Sequence, residues 1–258
     1  PNLANGTATT IVNEVTSART TTLNGAVEVA GDRAGVIIAN PNGISCNGCN
    51  FINAGSATLT TGVPVITGGN IRLDVTGGSI TIGRNGLRGA TAPGGGLPEV
   101  NLIGRTVVID GQVSAIDGVN VLGGAQQYDL TNKRRIANLP GSGAAPDLVI
   151  DGTEFGAMTA GRIQIIGNEA GLGVRTLGAV QSTVGDVQIT GQGNTTVRSV
   201  AAQGRAILQS GAGDLTLERD IVSATRDVAA TARNNLIVGT ESGLFGQTGV
   251  NLNAGSNE

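Results

Sequence analysis

The chain alternates short apolar bursts with glycine and asparagine and nowhere sustains a helical period. Thr9-Thr10-Ile11-Val12, Ala26-Val27-Glu28-Val29, Val36-Ile37-Ile38 and Phe51-Ile52 have strand composition, and Asn5-Gly6 and Asn24-Gly25 are turn signals. Asn70–Val75 and Ser79–Ile82 alternate apolar with polar, which predicts strands with one buried face. Further strand signals follow at Val100-Asn101-Leu102-Ile103, Thr106-Val107-Val108-Ile109 and Val119-Asn120-Val121-Leu122. The glycine-rich residues 83–96 read as a loop.

From residue 148 the pattern becomes periodic. Ile163-Gln164-Ile165, Val187-Gln188-Ile189, Ala206-Ile207-Leu208, Asp227-Val228-Ala229 and Val250-Asn251-Leu252 align at steps of about 20 to 24 residues. Thr196-Val197-Arg198, Leu215-Thr216-Leu217 and Leu236-Ile237-Val238 make a second set. A unit this thin cannot bury its own apolar face and must stack on its neighbours, which is the logic of a solenoid. The corners are glycine or asparagine and no helical segment intervenes, so the expected fold is all-β: a parallel β-helix, right-handed by the general rule for parallel crossovers. This reading makes the chain a single domain. Residues 1–35 are expected to form an N-terminal cap, 36–122 the first rungs and 148–258 the regular repeats. Residues 123–147 are expected to lie outside the coil as a protruding hairpin or mobile loop.

Composition sharpens this picture. Of 258 residues 43 are glycine and 2% aromatic, and neither Trp nor His occurs, so the core must be flat layers of Val, Ile, Leu and Ala. The net charge is −3 and its carriers are scattered; the one basic cluster, Lys133-Arg134-Arg135, reads as a solvated loop, so no nucleic-acid partner is expected. No phosphate-cradling glycine motif of the P-loop type is present, and no small-molecule substrate or cofactor is expected. No apolar run approaches membrane-spanning length. The chain opens on Pro1 without Met and stops in mid-pattern, so it is read as a processed or trimmed piece of a longer protein whose repeats continue.

One stretch carries most of the local chemistry. Asn40-Pro41-Asn42-Gly43-Ile44 has the residue order of a type I turn: asparagine to bond its own backbone at the first corner, proline to set φ at the second, glycine to close. Cys46 and Cys49 follow as C-x-x-C. With no His and no third Cys, the chain cannot complete a tetrahedral zinc site alone, and no metal is expected. A redox pair would sit at a helix N-terminus, which this stretch lacks. A disulfide that pins a tight loop is the favoured reading, with free thiols and redox chemistry left open.

Taken together, N-P-N-G-I at 40–44, C-x-G-C at 46–49, F-I-N at 51–53 and L-T-T-G at 59–62 closely resemble the N-terminal secretion domain of two-partner secretion exoproteins. This family includes filamentous haemagglutinins, haemolysins and contact-dependent inhibition toxins. Members also carry an upstream N-P-N-L, whose last three residues Pro1, Asn2 and Leu3 resemble. Ala54-Gly55-Ser56 departs from the Thr-Pro-Arg type of run found in many relatives, which removes any expectation of a partner contact by an arginine there. The resemblance implies a non-enzymatic targeting domain, monomeric, with strands outside the coil. It implies recognition by the periplasmic POTRA domains of a cognate TpsB transporter of the Omp85 type, and export through the periplasm of a Gram-negative bacterium to the surface or medium. Binding to a host or target-cell receptor would reside downstream.

The rival from a different class is a β-helical carbohydrate-binding or polysaccharide-cleaving protein, with Asp147, Asp151 and Glu154 as candidate acids. Against it stand the scarcity of aromatic platforms and the frequency with which loop carboxylates only cap turns.

Overall fold

A computed structural model describes residues 6–89 and 96–255, and among these every regular element is a strand. A ten-stranded parallel sheet forms one face of the coil, from Thr10–Glu14 through Ala34–Ala39, Ala54–Thr60, Glu99–Gly104, Gly118–Gly123, Arg162–Gly167, Val187–Gly191, Ala206–Ser210 and Asp227–Ala232 to Gly249–Ala254. A fourteen-stranded sheet wraps the rest. It begins as two faces, one carrying Ile44–Cys46 and Ser79–Ile82, the other Leu87–Arg88 and Val113–Ser114. The faces merge where Gly173–Ser182 runs round the corner and pairs with both Leu148–Gly152 and Met158–Ala160. The result is a parallel β-solenoid.

Register explains why these residues stack. Val36, Ala57, Val100, Val119, Ile163, Val187, Ala206 and Val228 lie in one inward column, and Ile38, Leu59, Leu102, Val121, Ile165, Ile189, Leu208 and Ala230 in a second. Both columns are buried. Each residue meets its neighbours above and below at the strand spacing of about 4.8 Å, so aliphatic side chains of similar size pack where large rings would force the layers apart.

The repeats hold, but two alignments shift by one residue. Ala206 pairs with Val228 rather than Asp227, and Thr195 rather than Thr196 pairs with Leu215. Burial decides it: a one-residue slip would turn Asp227 into the core and Val228 out of it. The glycine-rich stretch is also more than a loop, since Leu87–Arg88 is a short strand whose leucine is fully buried on Val113. Gly94 and Gly95 of that stretch lie outside the described residues.

Residues 63–75, expected among the first rungs, leave the coil. Val63–Thr67 and Asn70–Val75 form an antiparallel hairpin, and Gln126–Asp129 and Arg134–Asn138 extend it into a four-stranded sheet. The turn is Gly68-Gly69, both at positive φ, as a two-residue hairpin of this hand requires. The buried side of this sheet contributes Leu73, Val75 and Tyr128, which pack on Ile103 and Leu122 on the outer surface of the solenoid as a second, smaller core. The alternation in Asn70–Val75 was therefore a true strand signal, but the face it buries looks onto the coil from outside.

Arg105 clamps the insertion to the coil. Its guanidinium, almost fully buried, bonds both carboxylate oxygens of Glu169 at 2.9 and 3.2 Å and donates to the Ser142 carbonyl. Ser142 in turn donates its backbone N–H to the Thr76 carbonyl. At the N-terminus, Thr10–Glu14, Thr21–Leu23 and Ala26–Glu28 run parallel to the next strands of their faces, so the segment expected as a cap supplies the first turn of the coil itself.

Candidate functional site

The Asn40-Pro41-Asn42-Gly43 corner leaves the strand Ala34–Ala39 and enters Ile44–Cys46. The Gly43 N–H donates to the Asn40 carbonyl at 3.0 Å, and neither Pro41 nor Asn42 has positive φ, which makes the turn type I. The Asn42 N–H donates to Asn40 Oδ1 at 2.9 Å, the Asx bond expected from the residue order. Asn40 then does more than cap its own turn. Fully buried, it donates Nδ2 to the Arg19 carbonyl and to Thr21 Oγ1, both at 2.8 Å, and its backbone N–H to the Thr60 carbonyl at 2.9 Å. Asn42, exposed, donates Nδ2 to the Ser17 carbonyl at 2.8 Å. The corner is thus hydrogen-bonded to the turn before it and the turn after it.

Glycines on both layers make room. A Cβ on Gly78, which has φ of 75°, would lie 2.5 Å from the Pro41 carbonyl oxygen, and one on Gly43 would lie 3.1 Å from that of Ser79. Leu59 to Gly62 stack directly against the corner, with Thr60 opposite Ala39 and the Gly62 N–H bonded to Thr60 Oγ1. Two stretches twenty residues apart in sequence therefore share one edge of the coil.

Cys46 and Cys49 are joined by a disulfide with a Cα separation of 5.4 Å, and both are buried. Cys46 lies in the inward column Leu23, Cys46, Ile82 and Ile109, while Cys49 bridges to Leu87 on the adjoining face. The bond ties two faces across a corner. Around it, Asn47 Oδ1 accepts the Asn85 N–H at 3.0 Å and the Gly48 N–H donates to the Gly86 carbonyl at 2.9 Å. Phe51 is buried in the main core and Asn53, at φ of 56°, donates to the carbonyls of Val29 and Gly31 one turn back.

Residues 40–44, 46 and 49 thus come together on consecutive corners. Pro1, Asn2 and Leu3 lie outside the described residues. Sequence reasoning missed the partners Ser17, Arg19 and Thr21, which carry no motif, and Gly78, whose only signal was a Gly-Gly pair before a strand. Two of the three rival acids are separately engaged: Asp151 receives both arms of Arg175 at 2.8 Å and Glu154 pairs with Arg198 at 2.7 Å. Each of these two carboxylates has a cation of its own.

Comparison with known proteins gives a consistent answer. The family model described as TPS secretion domain matches residues 2–197. The chain is 36% identical over 263 residues to a 16S rRNA endonuclease CdiA of Enterobacter cloacae, covering 96% of this chain and 8% of the relative. It is 38% identical over 220 residues to a filamentous hemagglutinin of Bordetella pertussis, covering 83% of this chain and 6% of the relative. The chain therefore spans under a tenth of the length of these relatives. Among solved structures, a filamentous hemagglutinin secretion domain superposes with a TM-score of 0.75 at 32% identity, covering 95% of this chain and 75% of the other.

Proposed function

Because the chain belongs to the TPS secretion domain family, we propose that it addresses a large exoprotein to a dedicated outer-membrane transporter and starts its folding outside the cell. The observation that carries this reading is the corner at 40–43, where the family motif coincides with a buried asparagine bonded to the turns before and after it. Proteins of this family, such as filamentous hemagglutinin and CdiA, are secreted or displayed at the surface of Gram-negative bacteria, and the domain itself is a targeting element. The finer steps are our reading: the POTRA domains of the TpsB partner take the unfolded chain, with Asn40 to Ile44 and Pro1 to Leu3 as determinants. The remainder of the protein would be an adhesin, haemolysin or contact-dependent toxin that carries any receptor contact.

A solenoid suits such a route. Its layers contact only nearest neighbours, so it can fold progressively as it emerges, each finished turn opposing backward sliding. Asn40 would act at the first such step, since its three bonds to Arg19, Thr21 and Thr60 close as turns one to three meet. The test is binding of urea-unfolded chain, diluted onto immobilised POTRA domains of the cognate transporter. The reading requires saturable binding that Asn40→Ala with Asn42→Ala weakens severalfold; equal binding by an unrelated unfolded chain would defeat it.

A further inference from the structure

Three corners of the first turns repeat one dipeptide. Asn24-Gly25, Asn47-Gly48 and Asn85-Gly86 each lie between a strand of the Ile44–Cys46 face and the adjoining face. Register stacks the strands that lead into them, Leu23 on Cys46 and Cys46 on Ile82. A fourth copy, Asn42-Gly43, closes the neighbouring corner, and a fifth, at Asn5, lies outside the described residues. Turn formation accounts for the choice of residues, but the pair also carries a chemistry of its own. With no Cβ on the glycine to hinder approach, its backbone nitrogen can attack the side-chain carbonyl carbon of the asparagine. The attack requires an N–H free to give up its proton and a peptide free to turn.

The fold withholds these conditions at three of the four described copies. Gly43 donates its N–H to the Asn40 carbonyl at 3.0 Å, and Asn42 Nδ2 is held by the Ser17 carbonyl at 2.8 Å. The Gly48 N–H donates to the Gly86 carbonyl at 2.9 Å, while Asn47 Oδ1 accepts the Asn85 N–H at 3.0 Å. The Gly86 N–H donates to the Gly83 carbonyl at 2.8 Å, and Gly86 is buried. Asn24-Gly25 differs. Both residues are exposed, and among the described residues neither the Gly25 N–H nor the Asn24 side chain has a hydrogen-bond partner. The cause is position: the flanking strands Thr21–Leu23 and Ala26–Glu28 are the outermost of their sheets. The turn stacked on them reaches only carbonyls, with the Asn47 N–H on Leu23 at 2.9 Å and the Asn50 N–H on Gly25 at 3.4 Å.

We propose that Asn24 is the residue at which the folded domain deamidates, and that folding guards Asn42, Asn47 and Asn85 against the same reaction. The Gly25 nitrogen loses its proton to solvent base and bonds to Cγ of Asn24. The Cγ–Nδ2 bond breaks, and the nitrogen takes up a proton and leaves as ammonia. Water then opens the resulting five-membered succinimide at one of its two carbonyls. The product is aspartate or, with the main chain lengthened by one atom, isoaspartate. Either way the site gains one negative charge. At residue 24 the new carboxylate stands in solvent. At residue 42 it would replace the donor that bonds the Ser17 carbonyl, so the corner at 40–44 depends on a fold that keeps its own asparagine intact.

The experiment is incubation of the domain, folded and in urea, in mildly alkaline buffer. Aspartate and isoaspartate at each position are followed over days by peptide mass spectrometry. In the folded domain, conversion at Asn24 should exceed that at Asn42, Asn47 and Asn85 at least tenfold. In urea the four should react within a few fold of one another. Gly25→Ala should slow conversion at Asn24 severalfold with the melting temperature unchanged, since a Cβ there meets nothing within 4 Å and φ is not positive. Folded conversion at Asn24 within a few fold of that at Asn42, a folded pattern equal to the pattern in urea, or indifference to Gly25→Ala would each overturn the proposal.

Discussion

Nδ2 of Asn40 lies 2.8 Å from Oγ1 of Thr21, a residue nineteen positions earlier in sequence and one turn back in the coil. The same nitrogen reaches the Arg19 carbonyl, so one buried side chain fastens two turns. Replacing it strands the Arg19 carbonyl and the Asn42 N–H. Asn40→Ala should therefore lower unfolding free energy by about 1–3 kcal/mol, the range for a buried polar group left without its partner. Asn42→Ala, at an exposed position, should cost less. Urea denaturation of the two variants checks the order.

Gly78 has no room for a side chain. Its φ is positive and an added Cβ would meet the Pro41 carbonyl at 2.5 Å, a backbone atom that cannot rotate away. Gly78→Ala should cost at least about 2 kcal/mol from conformational strain and steric displacement together. Gly68→Ala, at positive φ but in open space, should cost about 1 kcal/mol from conformation alone. Thermal unfolding of the pair separates contact from backbone preference.

The solenoid was legible because burial of thin β layers imposes a repeat on the sequence itself, and the corner was legible because Asn-Pro-Asn-Gly uses local turn chemistry. What escaped depends on distance. The one-residue slips at Asp227 and Thr196 arose because apolar triplets can be aligned on either neighbour until burial shows which side chain points inward. Asn70–Val75 gave a correct strand signal, yet alternation cannot say whether the buried face looks into the coil or onto its outside. Ser17, Arg19 and Thr21 join the corner mostly through backbone groups, to which the sequence gives no mark.

Thr176 offers a stabilising change. It sits in the inward column beside Gly152 and Val197, is 1% exposed, and its hydroxyl has no hydrogen-bond partner. Thr176→Val keeps the shape and removes a buried, unsatisfied hydroxyl, so stability should rise by about 1 kcal/mol. Denaturant midpoints of the two proteins measure it, and a loss of stability would mean the hydroxyl has a partner in solution.

Acid should loosen the clamp on the insertion. The hydrogen bonds from Arg105, aided by the Ala125 N–H, hold the Glu169 carboxyl below its ordinary range against the opposing effect of burial. In the unfolded chain glutamate titrates near about 4.3, so as pH falls the unfolded state takes up its proton first. The stabilisation is complete above that value and is lost as pH drops through the lower folded value. Asp110, held low by Thr153 and Arg84, and Asp227, held low by Arg205, act in the same sense. Glu169→Gln should be less stable at pH 7 and show a shallower decline between pH 5 and 3, readable from denaturant midpoints across that range.

The central claim is that this domain directs export through a dedicated transporter. The direct measurement is the amount of chain in the culture medium when it is produced, with a periplasmic signal peptide, in the presence or absence of its cognate TpsB partner. The account predicts release only with the partner, and reduced release for Asn40→Ala combined with Asn42→Ala. Equal release without the partner would contradict it.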